Sequence, residues 1–323
     1  MPKQPRLHAV TYHYVRDLPR TRFPRIKGML IDDFHRQIDL WSQHLEMASL
    51  ESAIAFLRGQ YRPSRDLCLL TFDDGFKDHF SYVMPLLASR NIQGLFGVIT
   101  SCTEEHRVAS VHMNHFLMAH LPFCEYQKAV LKRVQDDVGG IDLDERAASE
   151  SYPLDTLEVA SLKYLLNFLV TPPARDQILR EIFVRYLGDE TCFARQLYMN
   201  WDEVRQLQSA GMLIAGHSHE HNALATLSAA ELSKDLHTCR TILDRRVSPQ
   251  PRWPFSYPYG KTNSYNSLTI STLKECGFMC GFDTEYRPNS PGAELFELHR
   301  IDCNGAPAAL GIRGEAVPAA TLP

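Results

Sequence analysis

The sequence predicts an α/β protein: a barrel of seven or eight parallel strands with a helical segment inserted partway along it. Three observations carry that prediction. Short apolar, β-rich runs alternate with helix-period segments from Leu7 onward, the βαβ rhythm of a parallel sheet. The rhythm lapses between about residues 102 and 199, where helix-favouring segments follow one another without a strand. It then resumes, and about seven strands with crossover helices close most easily into a barrel, whose chemistry sits on loops at the strand carboxyl ends.

Element by element, LHAVTYHY (Leu7 to Tyr14) reads as a strand and DDFHRQIDLWSQHL as a helix opened by Asp32 or Asp33 as cap. DLCLLTF (Asp66 to Phe72) is a strand, a helix begins near Asp78, and GLFGVIT (Gly94 to Thr100) is a strand. TLEVASLKYLLNFLV and RDQILREIFVRYLG are helices of the insertion, which follows a strand and should therefore roof the mouth of the barrel. Asn200 with Glu203, and Ser228 with Glu231, form capping boxes on either side of strand MLIAG. Further strands are expected near Trp253 to Tyr257, Met279 to Phe282 and Phe296 to Ile301. The expected organisation is a first barrel part over 1–101, a helical insertion serving as lid or interface over 102–199, a second barrel part over 200–302, and a disordered Ala-, Pro- and Gly-rich tail over 303–323.

Composition narrows the function classes. The 323 residues are 44% hydrophobic and 22% charged, ordinary for a globular protein and unlike a disordered, collagen-like or coiled-coil chain. A net charge of −4 gives no basic excess to favour a nucleic-acid or anionic-membrane partner. No stretch approaches about 18 consecutive apolar residues, and the first residues lack a signal-type apolar core, so a cytoplasmic location is expected. The eight cysteines are scattered without CxxC spacing and read as reduced thiols.

Three strings carry chemistry. TFDDG (Thr71 to Gly75) sets two adjacent carboxylates at the end of a buried strand, where Asp73 and Asp74 point in different directions and can divide metal binding from proton handling. The same string also reads as an Asp-Asp-Gly turn capping the next helix. GHSHEH (Gly216 to His221) offers His217 and His221, four apart, as imidazole ligands sharing one face of a helical turn, with His219 off that face. A solvated helix face is the bland reading. RWPFSYPYG (Arg252 to Gly260) is a stiff loop that can aim a backbone N–H at an oxyanion and stack sugar rings on Tyr257 or Tyr259, or simply pack the barrel rim.

In this order the three strings resemble the polysaccharide deacetylase family, the NodB homology domain of carbohydrate esterase family 4, over roughly Leu7 to Ile301. The resemblance implies a distorted (β/α)7 barrel and metal-dependent hydrolysis of an N-acetyl, or occasionally O-acetyl or formyl, group on a sugar. It implies Asp73 as general base, Asp74, His217 and His221 as metal ligands, and Tyr259 as the residue whose backbone N–H helps to hold the oxyanion. Zinc is the default for two histidines and an aspartate, with cobalt, nickel or iron able to serve.

Two departures from the family pattern stand out. Where many members have Arg-Pro-Pro-Tyr-Gly, this chain has Ser256, Tyr257, Pro258, Tyr259 and Gly260, so the arginine that orients the catalytic aspartate is missing and Arg300 is expected to approach Asp73 instead. An ordinary rim ion pair is the alternative for Arg300. The usual Leu-x-His string is replaced by Leu298, His299 and Arg300, leaving His299 as a candidate acid or substrate contact. His13 points to the barrel mouth as a candidate catalytic residue. VHMNHF in the insertion offers His112, Asn114 and His115 as sugar contacts, or reads as plain helix surface.

The expected activity is removal of an N-acyl group from an amino sugar, nucleotide-linked, lipid-linked or in a short oligosaccharide, in surface-polysaccharide or O-antigen biosynthesis. A deformylase of a lipid-linked sugar and a catalytically silent glycan-binding barrel are the alternatives.

Overall fold

The computed structural model describes residues 4–310, except 154 and 248. Seven parallel strands form the barrel: β1 (Leu7–Tyr12), β2 (Leu67–Phe72), β3 (Gly94–Val98), β4 (Leu213–Gly216), β5 (Pro254–Ser256), β6 (Cys280–Phe282) and β7 (Arg300–Asp302). Their order is β7-β1-β2-β3-β4-β5-β6, and the two-residue strand Glu46–Met47 adds to β2 off this path. The circle is completed by a single parallel bridge between Phe282 and Leu298, with Asp283 N–H donating to the Leu298 carbonyl at 2.8 Å.

Buried on both faces, the strands are continuous apolar runs, as a helix-covered parallel sheet requires. All six residues of β1 and all six of β2 are buried, paired in register from Leu7 with Leu67 to Tyr12 with Phe72. Inside and around them Tyr12, Phe34, Phe72 and Phe96 pack ring against ring, with Tyr12 and Phe72 stacked at 5.1 Å and Phe72 and Phe96 at 4.8 Å. The Tyr12 hydroxyl is satisfied in this core by Gln37 and Trp41.

Between β3 and β4 the chain is helical, including Ser110–His120, Phe123–Asp137 and Pro172–Leu187. Its apolar side chains form a second core with Tyr14, Phe76 and Ile99 of the barrel, so the insertion is packed onto the carboxyl ends of the strands. The return to the barrel is fastened by an antiparallel bridge between Phe76 and Tyr198 and by Met199 N–H donating to the Gly75 carbonyl at 2.9 Å. Both expected capping boxes are present, at Asn200 with Glu203 and Ser228 with Glu231.

Two details differ from the sequence expectation. The helix Ile31–His44 starts two or three residues earlier than a cap at Asp32 or Asp33 would place it, with Leu30 at the cap and Asp32 and Asp33 inside the first turn, where their charge still favours the helix amino terminus. Residues 303–310, expected within a disordered tail, are folded: Cys303 and Ala306 lie in the barrel core, the Cys303 carbonyl accepts from Gln37 Nε2 at 2.6 Å, and Ala306–Ala309 is a short helix. Apolar anchors outweighed a Pro- and Ala-rich composition there. The rest of that tail, 311–323, lies outside the described residues.

Candidate active site

Strand β2 ends by handing two carboxylates to the barrel mouth. Asp73 continues the ladder, its N–H donating to the Tyr12 carbonyl at 3.0 Å, whereas Asp74 takes a left-handed backbone with φ 78°. That turn sends the two side chains apart. Asp73, 1% exposed, meets Arg300: Nη1 lies 2.9 Å from Oδ1 and 2.8 Å from Oδ2. Arg300 is itself fixed, with Nε donating to the Asp283 carbonyl at 2.8 Å and Nη1 also reaching Ser256 Oγ at 3.2 Å. Burial would raise the Asp73 carboxyl, but the Arg300 guanidinium, then His217, outweigh it and hold the group ionised well below the usual carboxylate range.

Asp74 faces the other way. Its Oδ1 lies 3.3 Å from His217 Nε2 and 3.4 Å from His221 Nε2, and the two Nε2 atoms are 3.1 Å apart. All three residues are buried and form the one group of potential ligands found among the described residues. Asp74 Oδ1 has no hydrogen-bond partner despite complete burial. His217 Nδ1 donates to the Ser256 carbonyl at 2.8 Å, which turns its Nε2 toward Asp74. Burial, with the charge of His217, keeps His221 well below the ordinary histidine range and therefore neutral. An orphaned carboxylate oxygen and two converging imidazole nitrogens are the donor set a divalent cation takes, so the residues fit one.

His217 and His221 do not share a helical turn, as spacing alone suggested. They converge through a loop in which Ser218 (φ 63°) and His221 (φ 55°) are left-handed. Buried Asp235, from the helix Ala229–Arg246, accepts the N–H groups of His219 and Glu220 at 2.8 and 2.9 Å, and Ser218 Oγ accepts that of His221 at 2.8 Å. His219 points away, to Thr100 and Glu105. Gly97 on β3 is the floor: a Cβ there would stand 3.2 Å from Asp73 Oδ1 and 3.3 Å from His217 Cβ.

Of the remaining expected residues, His13 is half-buried at the mouth, near both Asp73 and Asp74. Tyr259 (φ 62°) sets its ring 5.1 Å from that of His221, and its hydroxyl donates to Asn167 of the insertion at 3.2 Å. His115 is half-buried nearby, 3.4 Å from the Tyr14 hydroxyl, and burial keeps it neutral. Two expectations are corrected. Tyr257 is 1% exposed, stacked on Tyr265 at 4.0 Å with its hydroxyl given to the Phe296 carbonyl, so it is wall and not sugar platform. His299 immediately precedes strand β7, and alternation turns it from Asp73 to Asp283, whose Oδ2 lies 2.9 Å from its Nδ1.

Sequence reasoning missed the insertion's own share of the site. The helix Ser110–His120 is not a surface: His112 and Asn114 are each 1% exposed. His112 Nε2 lies 3.1 Å from Asp74 Oδ2. Buried Arg175 donates to Asn222, next to His221, at 2.7 Å. The available signal was the presence of two histidines and an asparagine on a helix with no clean polar face.

A parallel barrel with a cation-fitting Asp-His-His cluster beside a separate, arginine-held carboxylate is a frame suited to hydrolysis. The polysaccharide deacetylase family model matches residues 168–281, which bears out the resemblance drawn from the motifs; the matched stretch holds His217, His221 and Tyr259 but neither Asp73, Asp74 nor Arg300. No curated protein matches the chain by sequence. Among solved structures, the Streptococcus pyogenes deacetylase PplD in complex with acetate is similar at 15% identity and a TM-score of 0.59, covering 95% of this chain and 97% of that one. IcaB from Ammonifex degensii follows at 17% and 0.56, covering 93% and 92%. The BpsB deacetylase domain from Bordetella bronchiseptica stands at 19% and 0.54, covering 92% and 95%. At these identities the likeness is one of fold, the deacetylase (β/α)7 barrel.

Proposed function

We propose that this protein is a metal-dependent amidohydrolase that removes an N-acetyl, or similar N-acyl, group from an amino sugar. The observation that carries the reading is the division between two neighbouring carboxylates: Asp73 is bound by Arg300, while Asp74 keeps an unpartnered oxygen facing two imidazole nitrogens. The family match and the deacetylase fold support it.

Asp74, His217 and His221 would hold the cation, zinc first among the candidates. A cation so held acidifies water and polarises an amide carbonyl. Asp73, kept ionised by Arg300, takes the proton of the attacking water. The backbone N–H of Tyr259 helps to hold the developing oxyanion. Because His299 is turned to Asp283 and His115 is kept neutral, we assign the proton for the leaving amine to His13, half-buried beside both carboxylates.

We read residues 102–199 as a lid that makes a pocket for a small or terminal sugar, since its side chains bond directly to residues of the mouth. All eight cysteines are free, the state of thiols in a reducing compartment, and we assign the reaction to cytoplasmic precursors of a surface glycan, nucleotide- or lipid-linked or short oligosaccharides. The test is acetate release from a panel of such N-acetylated precursors by zinc-reconstituted protein, with long polymers alongside. Release confined to the small precursors is expected. Activity on long chains alone would remove the pocket, and zinc binding without release from any substrate would favour a silent glycan-binding barrel.

A further inference from the structure

The insertion reaches the candidate cation site through one line of hydrogen bonds. Ala109 N–H donates to the Tyr198 hydroxyl oxygen at 3.2 Å, the Tyr198 hydroxyl meets His112 Nδ1 at 2.5 Å, and His112 Nε2 lies 3.1 Å from Asp74 Oδ2. The directions follow from the chemistry. An amide N–H can only donate, so the Tyr198 oxygen accepts there and passes its own proton to Nδ1. An imidazole that accepts at Nδ1 carries its hydrogen on Nε2, aimed at a carboxylate that can only accept. The ring is held by Phe76, 4.8 Å away between centroids, and by Tyr198 at 5.6 Å.

We infer that His112, oriented by Tyr198, is a positioning residue that fixes the Asp74 carboxylate for its cation. The inference rests on the reading of Asp74, His217 and His221 as a metal site. A carboxylate on a single Cβ rotates broadly about its last torsion. A buried donor on Oδ2 stops that rotation and leaves Oδ1 facing His217 and His221. Partners one step behind a ligand act in this way on metal sites generally, and their loss costs about 10- to 100-fold in metal affinity. Here the partner comes from the insertion, so the roof of the barrel also orients one of the site's ligands.

The experiment is zinc affinity by competition with a chromophoric chelator, alongside the melting temperature of the metal-free proteins. Wild type, His112→Ala, His112→Leu, His112→Gln and Tyr198→Phe are compared. Wild type should take up one zinc per chain. His112→Ala and His112→Leu should bind about 10- to 100-fold more weakly. His112→Gln, which returns an N–H donor, should recover part of the loss, and Tyr198→Phe should lose several-fold. Leucine returns volume without a donor, so recovery by leucine as good as by glutamine would reduce His112 to packing and overturn the inference. Affinity within twofold of wild type in His112→Ala would do the same. Should the His112 variants fail to fold, Tyr198→Phe decides alone, unchanged affinity refuting the relay. Zinc bound by none of the proteins would instead remove the metal-site reading.

Discussion

Arg300 Nη1 stands 2.9 and 2.8 Å from the two oxygens of Asp73, although the two residues are 227 positions apart in the chain. The pair is assembled because β7 and β2 flank β1 in the sheet, and Ser256, where relatives of the motif carry arginine, leaves room for a guanidinium arriving from another strand. Arg300→Lys keeps the charge but loses the planar fork that bonds Asp73, Ser256 and the Asp283 carbonyl together. Turnover should fall roughly 10- to 100-fold with little change in KM, a fraction of what a general base contributes. Steady-state kinetics that match the wild type would sink the role given to Arg300.

The two aspartates should separate cleanly. Asp74→Asn is expected to lose stoichiometric zinc, measured as metal per chain after incubation and desalting. Asp73→Asn is expected to keep the zinc and lose about 10²- to 10⁴-fold in turnover. Equal metal content in both variants would contradict the division of labour.

Gly97 offers a probe that leaves every functional side chain in place. A methyl there would press on Asp73 Oδ1 and His217 Cβ at 3.2 and 3.3 Å, and neither neighbour is the free end of a flexible chain. Gly97→Ala should lower both zinc affinity and turnover in a protein that still unfolds cooperatively. A fully active Gly97→Ala would show that the floor has slack.

Acid should weaken the fold through His79. Burial pushes this imidazole down to about 4, while its Nε2 donates to the His13 carbonyl at 2.8 Å. The unfolded chain takes up a proton below about 6.5 and the folded one does not, so the stability is present above that pH and is lost as pH falls toward 4. The loss amounts to about 2 kcal/mol by pH 5 and about 3 kcal/mol at pH 4. His79→Gln keeps the donor and cannot titrate. Its urea midpoint should therefore decline less between pH 7 and pH 5 than that of the wild type, and parallel declines would clear His79 of the effect.

Most of the frame was legible from residue patterns. Six of the barrel's seven strands fall where apolar β-rich runs stand, the last beginning at Arg300 rather than Phe296, and both capping boxes lie where Asn200 and Ser228 announced them, because these signals are local. Asp74, His217 and His221 converge because the two motifs that carry them end parallel strands on one face. Tyr257 and His299 were misread for a reason periodicity does not resolve: which of two adjacent residues faces inward depends on strand register, here Ser256 with Phe282 and Ala9 with Arg300. His112 was illegible as a partner of Asp74 because the packing of the insertion, not its sequence spacing, brings them together. Cys303 and Ala306 show the same limit in a segment whose composition spoke for disorder.

Among the described residues only six other than glycine have left-handed backbone, and four of them are Asp74, Ser218, His221 and Tyr259. Each such conformation costs on the order of 1 to 3 kcal/mol. The barrel therefore concentrates its torsional strain at the mouth, in residues the rest of the fold must hold against their own preference. Selection for thermal robustness alone would be expected to relax these positions first, glycine at 218 or asparagine at 259 being easy gains. A stabilised variant obtained that way would drift from the arrangement of ligand atoms at the mouth, so tolerance to heat and competence at the site pull against each other in the same four residues.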